Sequence, residues 1–127
     1  MTKTILVVED HRSLLTGIRE FLEMEGYTIH TAPNGALALE ILETIQPDLI
    51  LADIHMPHLD GHALYQIVRQ RPDLRSTPFI FLTAKRRKDL QIPEGMVVAD
   101  YVTKPFNMGA LLALIQRRLE AESGESS

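Results

Sequence analysis

The sequence of 127 residues contains no cysteine, so disulfide bonds and thiolate chemistry are excluded. It also contains no apolar run that approaches the length needed to cross a membrane. The apolar run after Met1-Thr2-Lys3 is too short for the core of a signal peptide, and we therefore expect a cytoplasmic protein. The formal net charge is −4, so the overall composition does not favour nucleic-acid binding.

Length and composition are those of one soluble globular domain. Hydrophobic residues make up 45% of the chain and charged residues 24%. A chain of this size can bury a core without the help of disulfides. We expect the domain to span residues 1–122. Because the ending EAESGESS is polar, residues 123–127 are expected to form a disordered tail or the start of a linker.

Five short apolar runs predict five β-strands. The first, third and fourth are apolar at successive positions, which is typical of strands buried on both faces of a parallel sheet. The second alternates more between apolar and polar residues, which favours an edge strand. The runs are Ile5–Val8, Tyr27–Thr31, Leu49–Ala52, Phe79–Leu82 and Tyr101–Thr103.

Amphipathic stretches separate these runs and predict helices between the strands. Asn107 is a candidate N-cap of the last helix. Pro93 and Gly95 interrupt the stretch between the fourth and fifth strands, so we expect a shortened or irregular fourth helix there. The alternation predicts an α/β three-layer sandwich, in which a five-stranded parallel sheet has helices on both faces. The apolar stripes run through Leu14–Leu22, Leu37–Ile45, Leu64–Val68 and Leu111–Leu119.

Polar side chains follow four of the predicted strands. Glu9 and Asp10 follow the first strand and Asp53 the third, while Thr83 and Lys104 follow the fourth and fifth. Because functional groups collect at the carboxyl ends of parallel strands, we expect these five side chains on one rim. Three carboxylates meeting there need compensation, since burying unpaired charge is costly. Mg²⁺ suits a site of a few carboxylates, waters and a phosphate oxygen, with the acid pair holding it directly or through water.

These motifs resemble those of the receiver domains of two-component response regulators. The resemblance is carried by VVEDH, LADIHMPHLDG, FLTA and DYVTKPF, which occur in this order within residues 5 to 106. It implies the flavodoxin-like strand order 2-1-3-4-5 and a cis peptide bond between Lys104 and Pro105. It also implies that Asp53 accepts a phosphoryl group from the phosphohistidine of a histidine kinase.

The resemblance further implies a role for each side chain on the rim. Lys104 and Thr83 would contact separate phosphoryl oxygens, because catalysis here depends on positioning and charge neutralisation. Thr83 and Tyr101 would form the switch that responds to the added charge. Mg²⁺, with Mn²⁺ as an alternative ion, would be held by Glu9, Asp10, Asp53 and the backbone carbonyl of His55.

The partners implied by the resemblance are a sensor histidine kinase or a phosphotransfer protein, docking on the helix after Asp10. An output domain or partner protein outside this chain would receive the signal. The resemblance allows a homodimer on activation, although the interruption at Pro93 and Gly95 argues against the family's usual dimer surface. The domain would catalyse only its own phosphorylation and dephosphorylation. No direct contact with nucleic acid or with a membrane is expected.

Two rival functions have the same topology. A flavin-binding or nucleotide-binding protein would carry glycines in the first strand–helix turn, where VVEDHRS has acids. A receiver-like interaction domain that is never phosphorylated would usually lack one of the acids or the lysine, and this chain keeps all of them.

Two further motifs suggest other ligands. His55, His58 and His62 have a spacing that a zinc site can use, but they span a loop in which a common face is unfavourable. The basic run Lys85–Lys88 is the remaining candidate for nucleic-acid binding. A run of four charges in an acidic domain is more typical of a solvated loop.

Overall fold

The structure is a computed structural model, and it describes residues 2–85, 92 and 100–124. The strands within these ranges are β1 (Thr4–Val8), β2 (Thr28–Ala32), β3 (Leu49–Asp53), β4 (Phe79–Thr83) and β5 (Asp100–Thr103). The α-helices are α1 (Arg12–Met24), α2 (Gly35–Ile41), α3 (Gly61–Arg69) and α4 (Met108–Gly124), and a short 3-10 helix covers Pro72–Leu74.

The five strands form one parallel sheet in the order β2-β1-β3-β4-β5, which confirms the predicted order. Every residue of β3 and β4 is buried, whereas most of the edge strand β2 is at least partly exposed, as the apolar runs indicated. The register pairs Val8 with Ala52, and Asp53 with Leu82. The carboxyl ends of these strands therefore lie along one edge of the sheet.

Helices cover both faces of the sheet, so the predicted three-layer sandwich is confirmed. Alternate residues of a strand point to opposite faces. Ile5 and Val7 of β1 accordingly pack in the core formed with α1 and α4, while Leu6 and Val8 pack in the core formed with α2 and α3. Burial of one such side chain contributes about 1.5–3 kcal/mol, so two cores fix the strands that carry the polar rim.

Side-chain caps determine where three of the helices begin. The Asp60 carboxylate accepts a hydrogen bond from the Ala63 amide at 2.8 Å, at the start of α3. Asn107 accepts one from the Ala110 amide at 3.0 Å, as its predicted role as N-cap of α4 requires. Asn34 caps α2 in the same way. Asp60 is thus a structural acid that lies only seven positions after Asp53.

Helix α2 ends earlier than the apolar stripe through Ile45 suggested. After Ile41 the amides of Glu43 and Thr44 donate to carbonyls three residues earlier, and the chain turns. The Thr44 hydroxyl also donates to the Ile41 carbonyl at 3.1 Å. The Ile41 carbonyl also accepts a hydrogen bond from the Ile45 amide at 3.1 Å, so three donors share this carbonyl where the chain leaves the helix.

Some sequence predictions fall outside the described residues. The shortened helix between β4 and β5 falls on residues 86–91 and 93–99, and so does the basic run beyond Lys85. Residues 125–127 are also outside, and the domain boundary after residue 122 stays a prediction. Among the helices of residues 2–85 and 100–124, none has the length and apolar character needed to cross a membrane.

Candidate functional site

Three carboxylates converge at the carboxyl edge of the sheet. Glu9 and Asp10 directly follow β1, and Asp53 is the last residue of β3. One oxygen from each of the three lies within 4.8 Å of the other two. Within the described part of the chain, no other group of three or more histidine, aspartate or glutamate side chains meets this criterion.

The three acids have different environments. Glu9 is 0% exposed and Asp53 is 5% exposed, whereas Asp10 is open to solvent. Hydrogen bonds to both the side chain and the backbone of Glu9 hold it in its inward position. Its carboxylate accepts a hydrogen bond from the His11 amide at 3.0 Å, and its own amide donates to the Ala32 carbonyl at 3.1 Å. Adjacent acids that look equivalent in the sequence are therefore one buried and one exposed group.

Lys104 supplies positive charge to the two buried acids. Its Nζ donates to Glu9 Oε1 at 2.9 Å and to Asp53 Oδ2 at 3.0 Å. The lysine follows β5 directly, its amide donates to the Thr83 carbonyl at 2.7 Å, and its peptide bond to Pro105 is cis. The sequence indicated a metal as the main compensation for the acids. The sequence also placed Lys104 on this rim as a further positive charge, and the structure adds its direct ion pair with Glu9.

Burial and ion pairing act in opposite directions on these groups. Burial raises the pKa of Glu9, and the negative charge of Asp53 adds to that, while the His11 amide and Lys104 oppose it without cancelling it. For Lys104, burial alone would lower the pKa, but its hydrogen bonds to Glu9 and Asp53 and the negative charges of these two acids together outweigh burial and leave the pKa raised. The ammonium group therefore stays charged at neutral pH beside the acids that need it.

The donor set fits a hard divalent cation. Mg²⁺ prefers oxygen ligands, is bound through one or two carboxylates and keeps several waters. The cluster offers carboxylate oxygens within 4.8 Å of one another, and Asp10 opens it to solvent. The loop after β3 lies next to the acid cluster, since the His55 amide donates a hydrogen bond to Asp53 Oδ1 at 3.1 Å. The residues present therefore fit Mg²⁺.

Gly61 brings the loop after β3 back against the site. Its amide donates to the Ile54 carbonyl at 2.9 Å. A Cβ atom added at Gly61 would lie 2.5 Å from the Asp53 carbonyl oxygen, which is closer than any real side chain can approach. Glycine is therefore required there, and it allows α3 to begin directly against the strand end that carries Asp53.

Thr83 and Tyr101, the two predicted switch residues, lie on neighbouring strands. Thr83 ends β4, is fully buried, and accepts a hydrogen bond from the Lys85 amide at 3.0 Å. Tyr101 pairs in register with Phe81 and stacks on its ring, with centroids 5.0 Å apart. The Tyr101 hydroxyl lies 3.1 Å from Nε2 of His62, a contact across 39 positions of sequence that no motif signalled.

The histidine spacing that suggested zinc does not produce a zinc site. His55, His58 and His62 are all described, and they do not form a group whose ligand atoms come within 4.8 Å of one another. His58 has a φ of 70° in the turn before α3, and the His62 ring contacts Tyr101 instead. The zinc interpretation is therefore not supported.

Comparison with known proteins identifies the family. Residues 5–116 match the family model described as the response regulator receiver domain. The chain belongs to that family. This receiver domain is 38% identical, over 130 residues, to the alkaline phosphatase synthesis transcriptional regulatory protein PhoP of Bacillus subtilis. The match covers 99% of this chain and 53% of PhoP, so the receiver domain spans about half the length of that relative.

Solved receiver structures show the same fold. The response regulator TrrA from Thermotoga maritima, in complex with Mg²⁺-BeF, is 33% identical to this receiver domain, with a TM-score of 0.79 and coverage of 92% of this chain and 99% of TrrA. The receiver domain of a sensor histidine kinase from Pseudomonas aeruginosa is 29% identical, with a TM-score of 0.79 and coverage of 94% and 98%. That structure holds a magnesium ion coordinated in its active-site cleft.

Proposed function

We propose that this receiver domain accepts a phosphoryl group on Asp53, with Mg²⁺ bound, from the phosphohistidine of a sensor histidine kinase or a phosphotransfer protein. The observation that carries the proposal is the convergence of Glu9, Asp10 and Asp53 within 4.8 Å, with Lys104 Nζ paired to two of them. An interaction domain that is never phosphorylated needs none of these groups, so that alternative is not favoured.

In the transfer, an Asp53 carboxylate oxygen attacks the phosphorus atom in line. The new O–P bond forms as the P–N bond to the donor imidazole breaks, and the donor nitrogen keeps the electron pair. A carboxylate is a weak nucleophile toward a charged group, so positioning and charge neutralisation must supply most of the rate. Asp53 is positioned by the His55 amide on Oδ1 and by Lys104 on Oδ2.

Charge neutralisation is assigned to the metal and to two side chains. Mg²⁺ would supply positive charge against the phosphoryl oxygens, held by the carboxylates of Glu9, Asp10 and Asp53 and the backbone carbonyl of His55. Mn²⁺ accepts the same kind of oxygen ligands. Lys104 would exchange its present partners for a second phosphoryl oxygen, and the Thr83 hydroxyl would donate to a third. Tyr101 would then follow Thr83 as the second part of the switch.

A groove of about 450 Å³ beside the acids offers a surface for the phosphoryl donor. Helix α1 contributes Arg12, Leu15 and Arg19 to its wall, so cations and an apolar side chain lie next to the acid pair Glu9 and Asp10. This agrees with the docking of a kinase on α1. An output domain or partner protein outside this chain would receive the signal, and an activated homodimer stays a prediction. The domain acts in signalling and promotes only its own phosphorylation and dephosphorylation.

Intact-mass spectrometry after incubation with acetyl phosphate and Mg²⁺ tests the proposal. The wild-type chain should gain the mass of one phosphoryl group, and EDTA should prevent the gain. Asp53→Asn should gain none, because the amide cannot form the acyl phosphate. Asp60→Asn is the matched control, since asparagine keeps the N-cap of α3 and leaves the acid cluster intact. A full mass gain in Asp53→Asn would overturn the assignment.

A further inference from the structure

Three rings from three different elements form an aromatic cluster beside the site: His62 of α3, Phe81 of β4 and Tyr101 of β5. Phe81 is fully buried and lies under both other rings. Its centroid is 5.0 Å from that of His62 in an edge-to-face contact, and 5.0 Å from that of Tyr101 in a stacked one. A hydrogen bond of 3.1 Å between His62 Nε2 and the Tyr101 hydroxyl closes the cluster.

The cluster is joined to the acceptor site on two sides. Phe81 lies two positions before Thr83 on the same strand, so the two side chains point to the same face of the sheet. On the other side, His62 directly follows Gly61, whose amide is bonded to the Ile54 carbonyl next to Asp53. A displacement at Asp53 or Thr83 therefore reaches the cluster through only a few packed atoms.

The present arrangement is one that a phosphoryl group on Asp53 would have to rearrange. Lys104 donates to Glu9 and Asp53, and Thr83 accepts from the Lys85 amide. Burial lowers the pKa of His62, and this effect is larger than the opposite effect of the negative charge of Asp60. The charge of His55 lowers the pKa further, so the His62 ring is neutral at pH 7. A neutral imidazole can pair with a tyrosine hydroxyl as donor or acceptor.

We propose that His62 is a positioning residue that holds Tyr101 against α3 and thereby stabilises this arrangement over the phosphorylated one. This inference rests on the proposed function, because it assigns a regulatory role to the same site. Losing the hydrogen bond weakens the hold on the Tyr101 side chain, which can then leave its place on Phe81 more readily. The equilibrium then shifts toward the arrangement that binds a phosphoryl group, and the apparent affinity for that group rises.

The first measurement is the affinity for beryllium fluoride with Mg²⁺, a phosphoryl mimic, followed by NMR titration of the full chain. His62→Leu should bind the mimic about two- to tenfold more tightly than wild type. This ratio of affinities corresponds to the net free energy of one hydrogen bond between uncharged groups. Tyr101→Phe should have a similar effect, and the double variant should show no further gain. His62→Gln, whose amide can still reach the hydroxyl, should restore most of the wild-type affinity. His30→Leu, a half-buried histidine of the opposite edge strand β2, is the control and should change nothing.

The second measurement does not depend on the mimic. The χ1 populations of Tyr101, from NMR couplings in the free protein, should broaden in His62→Leu and return toward wild type in His62→Gln. Unchanged χ1 populations in His62→Leu, or additive effects in the double variant, would overturn the role of His62. Broadened populations with unchanged or weaker mimic affinity would overturn its coupling to the site. Failure of the wild-type chain to bind the mimic at all would count against the proposed function, while the χ1 populations still decide the role of His62.

Discussion

Replacing Lys104 with methionine should destabilise the metal-free protein, because it removes the cation that compensates two buried acids. The side chain of Glu9 is 0% exposed and that of Asp53 is 6% exposed, while Lys104 itself is 23% exposed. Removing one partner of a fully buried pair costs about 3–5 kcal/mol, since the other charge is left unpaired.

Two effects reduce that figure for Lys104→Met. The lysine is partly exposed, so water already screens part of the interaction. Burial has already raised the pKa of Glu9, so this acid can take up a proton when the lysine is lost rather than stay charged. We therefore expect the free energy of unfolding to fall by about 2–3 kcal/mol at neutral pH in EDTA.

Urea melts in EDTA, followed by far-UV circular dichroism, measure this change. The matched control is Arg19→Met, which breaks an ion pair of 4.0 Å between side chains that are 42% and 49% exposed. It should cost less than about 0.5 kcal/mol. Adding Glu9→Gln to Lys104→Met should recover about half of the loss, because the buried charge is gone.

Saturating Mg²⁺ should narrow the difference between wild type and Lys104→Met. The cation supplies the positive charge that the variant lacks at the acids, so it stabilises the folded variant more than the folded wild type. A loss of stability in Lys104→Met no larger than that in Arg19→Met, both in EDTA, would refute the role of Lys104 as the cation that compensates the buried acids. So would a failure of Glu9→Gln to recover any stability in the Lys104→Met background.

Two further predictions concern the same charges. Asp10→Asn should raise the free energy of unfolding in EDTA by about 0.5 kcal/mol, because it removes the repulsion between an exposed acid and the two buried ones. It should also weaken Mg²⁺ binding. A lower free energy of unfolding in urea melts would contradict the repulsion among the three acids. The raised pKa of Lys104 implies stabilisation that is complete below the ordinary lysine pKa of 10.5 and is lost as the pH rises through the folded-state pKa. The stability gap between wild type and Lys104→Met should therefore hold steady at lower pH and narrow as the pH rises above the ordinary lysine pKa of 10.5. Tyr27, whose pKa is also raised by burial, is present in both proteins, so its titration cancels in this comparison. A gap that stays constant over that range would contradict the assignment.

Much of the fold was predictable because strands buried on both faces leave a strong pattern. The apolar runs before Glu9, Asp53 and Thr83 placed each side chain at a strand end, and the parallel sheet then brought those ends together. Helix limits were less predictable. The apolar stripe of α2 continued to Ile45, but the helix ends at Ile41, after which the amides of Glu43 and Thr44 donate to carbonyls three residues earlier.

The details of the site depend on contacts between distant residues, which periodicity does not report. Nothing in the pair Glu9-Asp10 indicates that the first acid is buried and the second exposed. The pairing of Lys104 with Glu9 spans 95 positions, and that of His62 with Tyr101 spans 39. His62 was visible in the sequence only as part of a histidine spacing, which pointed to a metal rather than to a tyrosine.

The identity of the acceptor residue can be measured directly by chemical trapping. Borohydride reduces an aspartyl phosphate to homoserine, so treating the chain after incubation with acetyl phosphate and Mg²⁺ marks the modified residue, which peptide sequencing by mass spectrometry then locates. The convergence of Glu9, Asp10 and Lys104 on Asp53 predicts homoserine at position 53 alone. Homoserine at Asp10 or Asp60, or a phosphoryl group found only on a histidine, would contradict it.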